Sequence, residues 1–203
     1  MKTGAIFLDR DGVLIENRPD YVKTWAEVEI FPHTFAAMKK LASLGRPIVM
    51  VTNQSAVGRG IITSAWVDEV HRRLIAEVEA NGGRIDAVYF CPHHPQEICA
   101  CRKPLPGMLQ QAAREWDLDL TASFLVGDAI SDMETVRAVG GQGILVRTGR
   151  GAEQATALTA QYTDWNVPIV TDLDAAADYI LAHSTPSQSE STELQEPLER
   201  FRG

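Results

Sequence analysis

The chain has 203 residues, 45% of them hydrophobic and 23% charged, which suits one globular domain with a full core and a short tail. Its formal net charge of −8 argues against the basic surface that nucleic-acid binding needs, and no apolar run approaches the roughly 18 residues of a membrane span. The three cysteines all fall between positions 91 and 101, a pattern that points to a metal site in a reducing compartment rather than to disulfides. With no secretion signal at the start of the chain, a cytoplasmic location is expected.

Gly4–Leu8 reads as a buried parallel strand, and it ends in Asp9, Arg10, Asp11 and Gly12. Acids at i and i+2 point the same way from an extended chain, so both carboxyls reach the carboxyl end of the sheet. Ligands bind there in open α/β sheets, although two acids so spaced would by themselves be a solvated turn more often than a site. Val13–Val22, with its Pro and Asx residues, reads as a loop or small hairpin over that strand end. Pro32–Leu44 is expected to be a helix, with Phe35, Met38 and Leu41 at helical spacing and Gly45 as its stop. Pro47–Val51 is a second buried strand running into Thr52, Asn53, Gln54 and Ser55. A loop over Ala56–Gly60 then leads to a helix over Ser64–Asn81, whose Val67, Val70, Leu74 and Val78 share one face.

Ala87–Phe90 is a third strand that enters the cysteine cluster, and Pro106–Trp116 a third helix. Ser123–Asp128 is a fourth strand ending in acid, followed by a helix over Ser131–Val139 and a strand over Gly143–Val146. Ile169–Val170 could form an edge strand before a last helix, Asp172–Ala182. Strands alternating with helices indicate an α/β fold, a doubly wound, Rossmann-like parallel sheet spanning residues 1–183. Residues 184–203, mostly Ser, Thr, Glu, Gln and Pro, read as a disordered tail.

Several strands thus end in reactive polar groups: Asp9 and Asp11, Thr52 and Asn53, and Asp128 with Asp132 just beyond. Lys103 lies in a proline-bearing loop. Three carboxyls can hold Mg²⁺, a hard cation that favours oxygen ligands. One carboxylate can attack phosphorus and form an aspartyl-phosphate, while a second protonates the leaving alkoxide and then deprotonates water. A hydroxyl, backbone amides and an ammonium can neutralise the phosphoryl oxygens. Cys91, Cys99, Cys101 and a histidine, His93 or His94, form the kind of set Zn²⁺ takes in closed tetrahedral sites. The plain alternative is a group of buried free thiols beside a surface histidine.

In order and context, Asp9-x-Asp11-Gly12-Val13, Thr52, Lys103 and Gly127-Asp128-x-x-x-Asp132 resemble the four motifs of the haloacid dehalogenase superfamily of phosphohydrolases, over about residues 4–150. The resemblance implies that Asp9 is the nucleophile and Asp11 the general acid/base. It implies Asp9, the backbone carbonyl of Asp11, and Asp128 as Mg²⁺ ligands, Thr52 and Lys103 as phosphoryl binders, and Asp132 as support for the metal or for Lys103. Superfamily caps are inserted after the first motif or between the second and third. Neither span has room for one here, so a capless fold is expected, with an open site whose specificity lies in its loops. The family pattern favours His93 over His94, and the zinc would be structural, stiffening the loop that presents Arg102 and Lys103.

The zinc loop narrows the resemblance to a subgroup that contains heptose bisphosphate 7-phosphatases and histidinol-phosphatases. Thr52–Ser55, Gly58-Arg59-Gly60, Arg102-Lys103-Pro104 with Pro106-Gly107-Met108, and Val146–Gly149 are similar to the heptose branch. That implies a small sugar bisphosphate as substrate, bound by Thr52, Asn53, Gln54, Ser55, Arg59, Arg102 and Lys103, with the remote phosphate near Arg59 and Arg102. The rivals are histidinol phosphate or another small phosphomonoester and, outside enzymes, a zinc-stabilised binding module with a decayed site. Two residues depart from the pattern: Ala129 stands where a basic residue often follows Gly-Asp, and Ala56 where glycine is usual. Arg59 reads equally as a solvated charge, and Tyr21 as a residue that closes over substrate or packs its loop. His33, His71 and His183 read as exposed or packed, and Trp25, Trp66, Trp116 and Trp165 as packing residues. A monomer is expected.

Overall fold

The structure, a computed structural model, describes residues 2–184, so the expected tail lies outside the described residues apart from Ser184. Short, mostly apolar runs form six strands, buried at the centre of the sheet and half-buried at its edges: β1 (Ile6–Leu8), β2 (Ile48–Asn53), β3 (Ala87–Cys91), β4 (Phe124–Gly127), β5 (Gln142–Val146) and β6 (Ile169–Val170). They make one parallel sheet in the order β3-β2-β1-β4-β5-β6. Chain progression reverses between β1 and β4, which are adjacent in the sheet, and the crevice at their carboxyl ends is where this architecture binds ligands.

Alternation along the strands divides the core between the two faces. Ile6, Leu8, Ile48, Met50, Phe124, Val126, Ile144 and Val146 face α1 (Thr34–Ala42), α3 (Ser64–Ala80) and α7 (Leu173–His183), meeting Met38, Leu41, Val70, Leu74 and Ile180. Phe7, Val49, Val51 and Leu125 face the other way, against Met108, Leu109 and Ala112 of α4 (Gly107–Trp116) and Val136 of α5 (Ile130–Arg137). Each such aliphatic side chain contributes about 1.5–3 kcal/mol by leaving water. Three of the tryptophans pack against these clusters, whereas Trp116 is 44% exposed at the end of α4, contrary to the expectation of packing.

The expected elements are present with small shifts at their ends, and three were not foreseen, one of them a 3-10 turn at Trp25–Glu27. Helix α6 (Gly151–Gln161) carries mostly Ala, Thr and Gln and buries only Ala155 and Leu158 as apolar side chains, so it has almost no amphipathic signature. The single turn α2 (Ser55–Gly58) stands where a loop was expected. β2 runs two residues further than expected because Thr52 and Asn53 pair with Phe90 and Cys91 of β3. After β1 the chain forms the expected small hairpin, with Glu16 N–H donating to Glu29 O at 2.8 Å and Phe31 N–H to Leu14 O at 3.2 Å. Among the described residues no cap is inserted: β1 and β2 are separated by that hairpin, a 3-10 turn at Trp25–Glu27 and α1, and β2 and Lys103 by α2, α3, β3 and the cysteine loop. No helix of the described chain is long and apolar enough to cross a membrane.

Gly127 closes β4 against α5 so tightly that a Cβ there would lie 2.3 Å from Asp132 Cγ. Gly127→Ala therefore has to displace a fully buried carboxylate. The expected cost is about 1–3 kcal/mol, a drop of roughly 3–10 °C in Tm for a domain of this size. A melting curve within a degree of wild type would show that Asp132 yields freely.

Candidate active site

The carboxyl ends of β1, β2 and β4 bring the motif residues together. Asp9 follows β1 and is held by its own backbone N–H, which donates to Val126 O at 3.0 Å. Its Oδ2 lies 2.9 Å from Lys103 Nζ, and the same ammonium reaches Asp132 Oδ1 at 2.5 Å and donates to Val51 O at 3.0 Å. Asp9, Asp128, Asp132, Lys103 and Thr52 are all buried. Burial pushes the Asp9 carboxyl up to about 7, against the downward pull of Lys103 and with the neighbouring acids adding to the rise. Burial also raises Asp132, again opposed by Lys103. For Lys103 itself burial alone would lower the pKa, but Asp132 and Asp9 outweigh it and hold the side chain firmly as an ammonium.

Carboxyl oxygens of Asp9, Asp128 and Asp132 lie within 4.8 Å of one another, an all-oxygen donor set of the kind Mg²⁺ takes. Lys103 engages both Asp132 and Asp9, and of the three acids it is Asp9 that lines the opening, with Asp128 buried beside it. The backbone closes on Asp128 from two sides. A Cβ on Gly12 would fall 2.2 Å from Asp128 Oδ2, and one on Gly149 2.5 Å from it, and both glycines have positive φ. These donors fit a hard divalent cation beside Asp9.

Asp11, two residues on, has different surroundings. Arg10 turns its side chain to the far side of the strand end and grips both Asp11 oxygens from Nη2 at 3.0 Å. Gln54 Nε2 donates to Asp11 Oδ2 at 2.8 Å and to Thr52 Oγ1 at 2.9 Å, while its Oε1 accepts from Arg10 at 2.9 Å. His71, buried on α3, sits 3.3 Å from Arg10 Nη1. Burial, helped by the Arg10 cation, depresses its pKa to about 3, so the imidazole is neutral and can accept. Neither Arg10 nor His71 was expected in the site. Their signals were an arginine inside a buried strand end and a polar residue on the apolar face of a helix, four after Val67.

The cysteine loop brings its four donors together. Cys91 Sγ lies 3.8 Å from Cys99 Sγ and 3.4 Å from His93 Nδ1, and Cys101 Sγ lies 3.2 Å from His93 Nδ1. A tetrahedral zinc with Zn–S of about 2.3 Å and Zn–N of about 2.0 Å places its ligands roughly 3.5–3.8 Å apart, so the set is close to the size required. His94 does not join it: its Nδ1 accepts from Gln96 N–H at 3.2 Å. The loop connects directly to the acidic cluster. Asn53 Nδ2 donates to Lys103 O and Lys103 N–H donates to Asn53 Oδ1, both at 3.1 Å, two residues beyond Cys101.

Asp9, Asp11, Thr52 and Lys103 line an open cavity of about 530 Å³. All the residues expected around substrate line it, but in different ways. Arg59 is exposed at the rim, and Arg102 is half-buried with its Nη1 buried and without a hydrogen-bond partner. Asn53 and Gln54 spend their side-chain amides on Lys103, Asp11, Thr52 and Arg10 rather than on the opening. Tyr21, in left-handed backbone (φ 67°), and Arg18 form the opposite wall. The cavity also holds Arg150, which was not foreseen: its Nη2 lies 3.2 Å from Asp128 Oδ1. Applying the strand-end rule to β5, whose motif was followed no further than Gly149, would have found it.

Known proteins resemble this chain in sequence and fold. A HAD-hydrolase-like family model matches residues 100–176. A protein from Pseudomonas aeruginosa named D-glycero-beta-D-manno-heptose-1,7-bisphosphate 7-phosphatase is 40% identical over 151 residues, 74% of this chain and 85% of that one. A protein of the same name from Neisseria meningitidis serogroup B is 34% identical over 188 residues, 91% of this chain and 98% of its own length. The crystal structure of D,D-heptose 1,7-bisphosphate phosphatase from B. bronchiseptica, complexed with magnesium and phosphate, superposes with a TM-score of 0.83 at 34% identity, covering 90% of this chain and 100% of that one.

The donor geometry of the cysteine loop makes a prediction that activity does not enter. The purified protein should hold about one tightly bound zinc, and Cys99→Ser should lower both zinc content and Tm. Elemental analysis that finds no zinc in the folded wild-type protein would remove the site.

Proposed function

The chain belongs to the haloacid dehalogenase-like hydrolases, and on that premise we propose that it removes the 7-phosphate of D-glycero-D-manno-heptose 1,7-bisphosphate through an aspartyl-phosphate on Asp9. One observation carries the chemistry. Three sequence-distant groups, Asp9, Thr52 and Lys103, meet at one open cavity, with Asp128 buried within 4.8 Å of Asp9 and a second, separately held acid, Asp11, beside them. The substrate rests on the relatives, which bear the heptose name over most of both chains. Nothing comparable favours histidinol phosphate, and an intact acid–ammonium cluster has no purpose in a bare binding module.

In this reading an Asp9 oxygen attacks phosphorus in line as the P–O bond to the sugar breaks, and the leaving oxygen takes a proton from Asp11. Asp11, now a carboxylate held by Arg10 and Gln54, takes a proton from water. The water oxygen attacks the acyl-phosphate, inorganic phosphate leaves and Asp9 is regenerated. Thr52 and Lys103 bind the phosphoryl oxygens, with Ser55 at the same edge. Asp9, Asp128 and the Asp11 carbonyl would hold Mg²⁺, which would supply the charge needed to bring the phosphate dianion to a cluster of acids. The zinc of Cys91, His93, Cys99 and Cys101 is structural. Without a cap, the remote phosphate contributes orientation through Arg59 and Arg102. A small sugar phosphate as sole partner, a monomeric state and a cytoplasmic location complete the proposal.

Phosphate release at saturating Mg²⁺ tests the reaction. Heptose 1,7-bisphosphate should exceed heptose monophosphate and histidinol phosphate in kcat/KM, and Asp9→Asn should fall to background while keeping the fold. Arg102→Ala should cost the bisphosphate roughly ten- to a hundredfold and the monophosphate less. Faster turnover of histidinol phosphate would reassign the substrate, and wild-type turnover by Asp9→Asn would end the mechanism.

A pH profile tests the electrostatics. Asp9 attacks only as a carboxylate, and its folded pKa is raised to about 7 chiefly by burial. At limiting Mg²⁺, kcat/KM should therefore rise with pH up to about neutrality. Mg²⁺ favours the ionised form, so this acid limb should move to lower pH as the cation concentration rises. A limb that stays in place across Mg²⁺ concentrations would assign it to another group.

A further inference from the structure

Asp9, Asp128 and Asp132 gather three carboxylates around one buried ammonium, Lys103. The remaining deficit next to Asp128 is met from the far side by Arg150. Its Nη2 lies 3.2 Å from Asp128 Oδ1 and its Nε 3.4 Å from Oδ2, while its side chain is 56% exposed and lines the cavity. These contacts are longer than the 2.7–2.9 Å of a strong charge-assisted bond, so the guanidinium is held loosely. Its backbone is held firmly. Arg150 N–H donates to Asp128 Oδ2 at 2.9 Å, and Thr148 Oγ1 donates to Gly12 O at 2.6 Å. Asp128 thus keeps its orientation if the side chain leaves. The residue that follows Asp128, Ala129, is buried and brings no cation.

We infer that Arg150 serves as the counter-ion of Asp128 until the divalent cation arrives, then turns its guanidinium into the cavity to bind the phosphoryl group. It thereby supplies the charge that Ala129 lacks. This deepens the phosphatase reading and rests on it for the identity of the anion, but not for the competition at Asp128. Arg150 is a positioning and binding residue, and it competes with the very cation that completes the site.

The test uses zinc-loaded protein freed of exchangeable cations. Mn²⁺ binding is followed by electron paramagnetic resonance of the free aqua ion, with no substrate present. A unit charge about 5 Å from a divalent ion, screened as in water, changes affinity by roughly tenfold. Arg150→Gln should therefore bind Mn²⁺ about tenfold more tightly than wild type, and Arg150→Lys should fall between. At saturating Mg²⁺, inorganic phosphate measured by calorimetry should bind Arg150→Gln about tenfold more weakly. Unchanged or weaker Mn²⁺ binding by Arg150→Gln overturns the counter-ion, and unchanged phosphate binding overturns the turn into the cavity. Neither reading uses the sugar, so failure of heptose turnover leaves both measurements decisive.

Discussion

The ammonium of Lys103 is the point on which the site depends. A buried cation costs several kcal/mol in lost hydration, and only well-placed partners offset it. Here they come from three places: Asp9 after β1, the Val51 carbonyl in β2 and Asp132 in α5. No local segment could supply all three. The pairing of β1 with both β2 and β4 is what sets them around one point. Removing both carboxylates would leave an uncompensated buried charge, and breaking a buried pair in that way costs about 3–5 kcal/mol. The loop that delivers the lysine is itself fastened, by the paired Asn53 amide on one side and by Cys101 on the other. Its continuation is equally tight, since a Cβ on Gly107 would lie 2.1 Å from Ala100 O where α4 begins.

Two aspartates separated by one residue acquire opposite characters from their surroundings. Asp9 is enclosed and shares an ammonium, which suits a group that attacks. Asp11 is partly open, its carboxyl presented between an arginine and an amide, which suits a group that exchanges protons with solvent and leaving group. Arg10 makes this separation possible by lying between them in sequence and pointing away from Asp9. The neutral His71 behind it adds an acceptor without adding charge. Environment rather than residue type assigns the roles.

Much of this could be read from the residues alone. The sheet was legible because its strands are uninterrupted aliphatic runs, and Asp9, Thr52 and Asp128 because each stands where such a run ends. Helix α6 was not, since small side chains pack against Leu145 as well as large ones do but leave no periodic trace. Its first residue, Gly151, is there because a Cβ would collide with the Val146 carbonyl, a constraint invisible in one dimension. His71 is packed, one of the two readings open for it, but only the fold shows the arginine that it packs against. The cluster around Cys91 was legible as donors, and the ring orientations agree with the family pattern in favouring His93 over His94.

The cysteine loop has one further consequence. Its two ends are pinned, at Cys91 by the sheet and at Cys101 beside the lysine turn, and Gly58 N–H donates to Pro92 O at 2.8 Å so that the arginine-bearing turn α2 also rests on its base. Residues Pro95–Ile98 at its tip are all exposed, and Ile98 touches almost nothing. The tip is thus free to lengthen, shorten or change composition while the anchored base holds Lys103 in register. Descent can vary the height and chemistry of one cavity wall without re-inventing the hydrolytic centre, and the pinned base is what keeps the two separable.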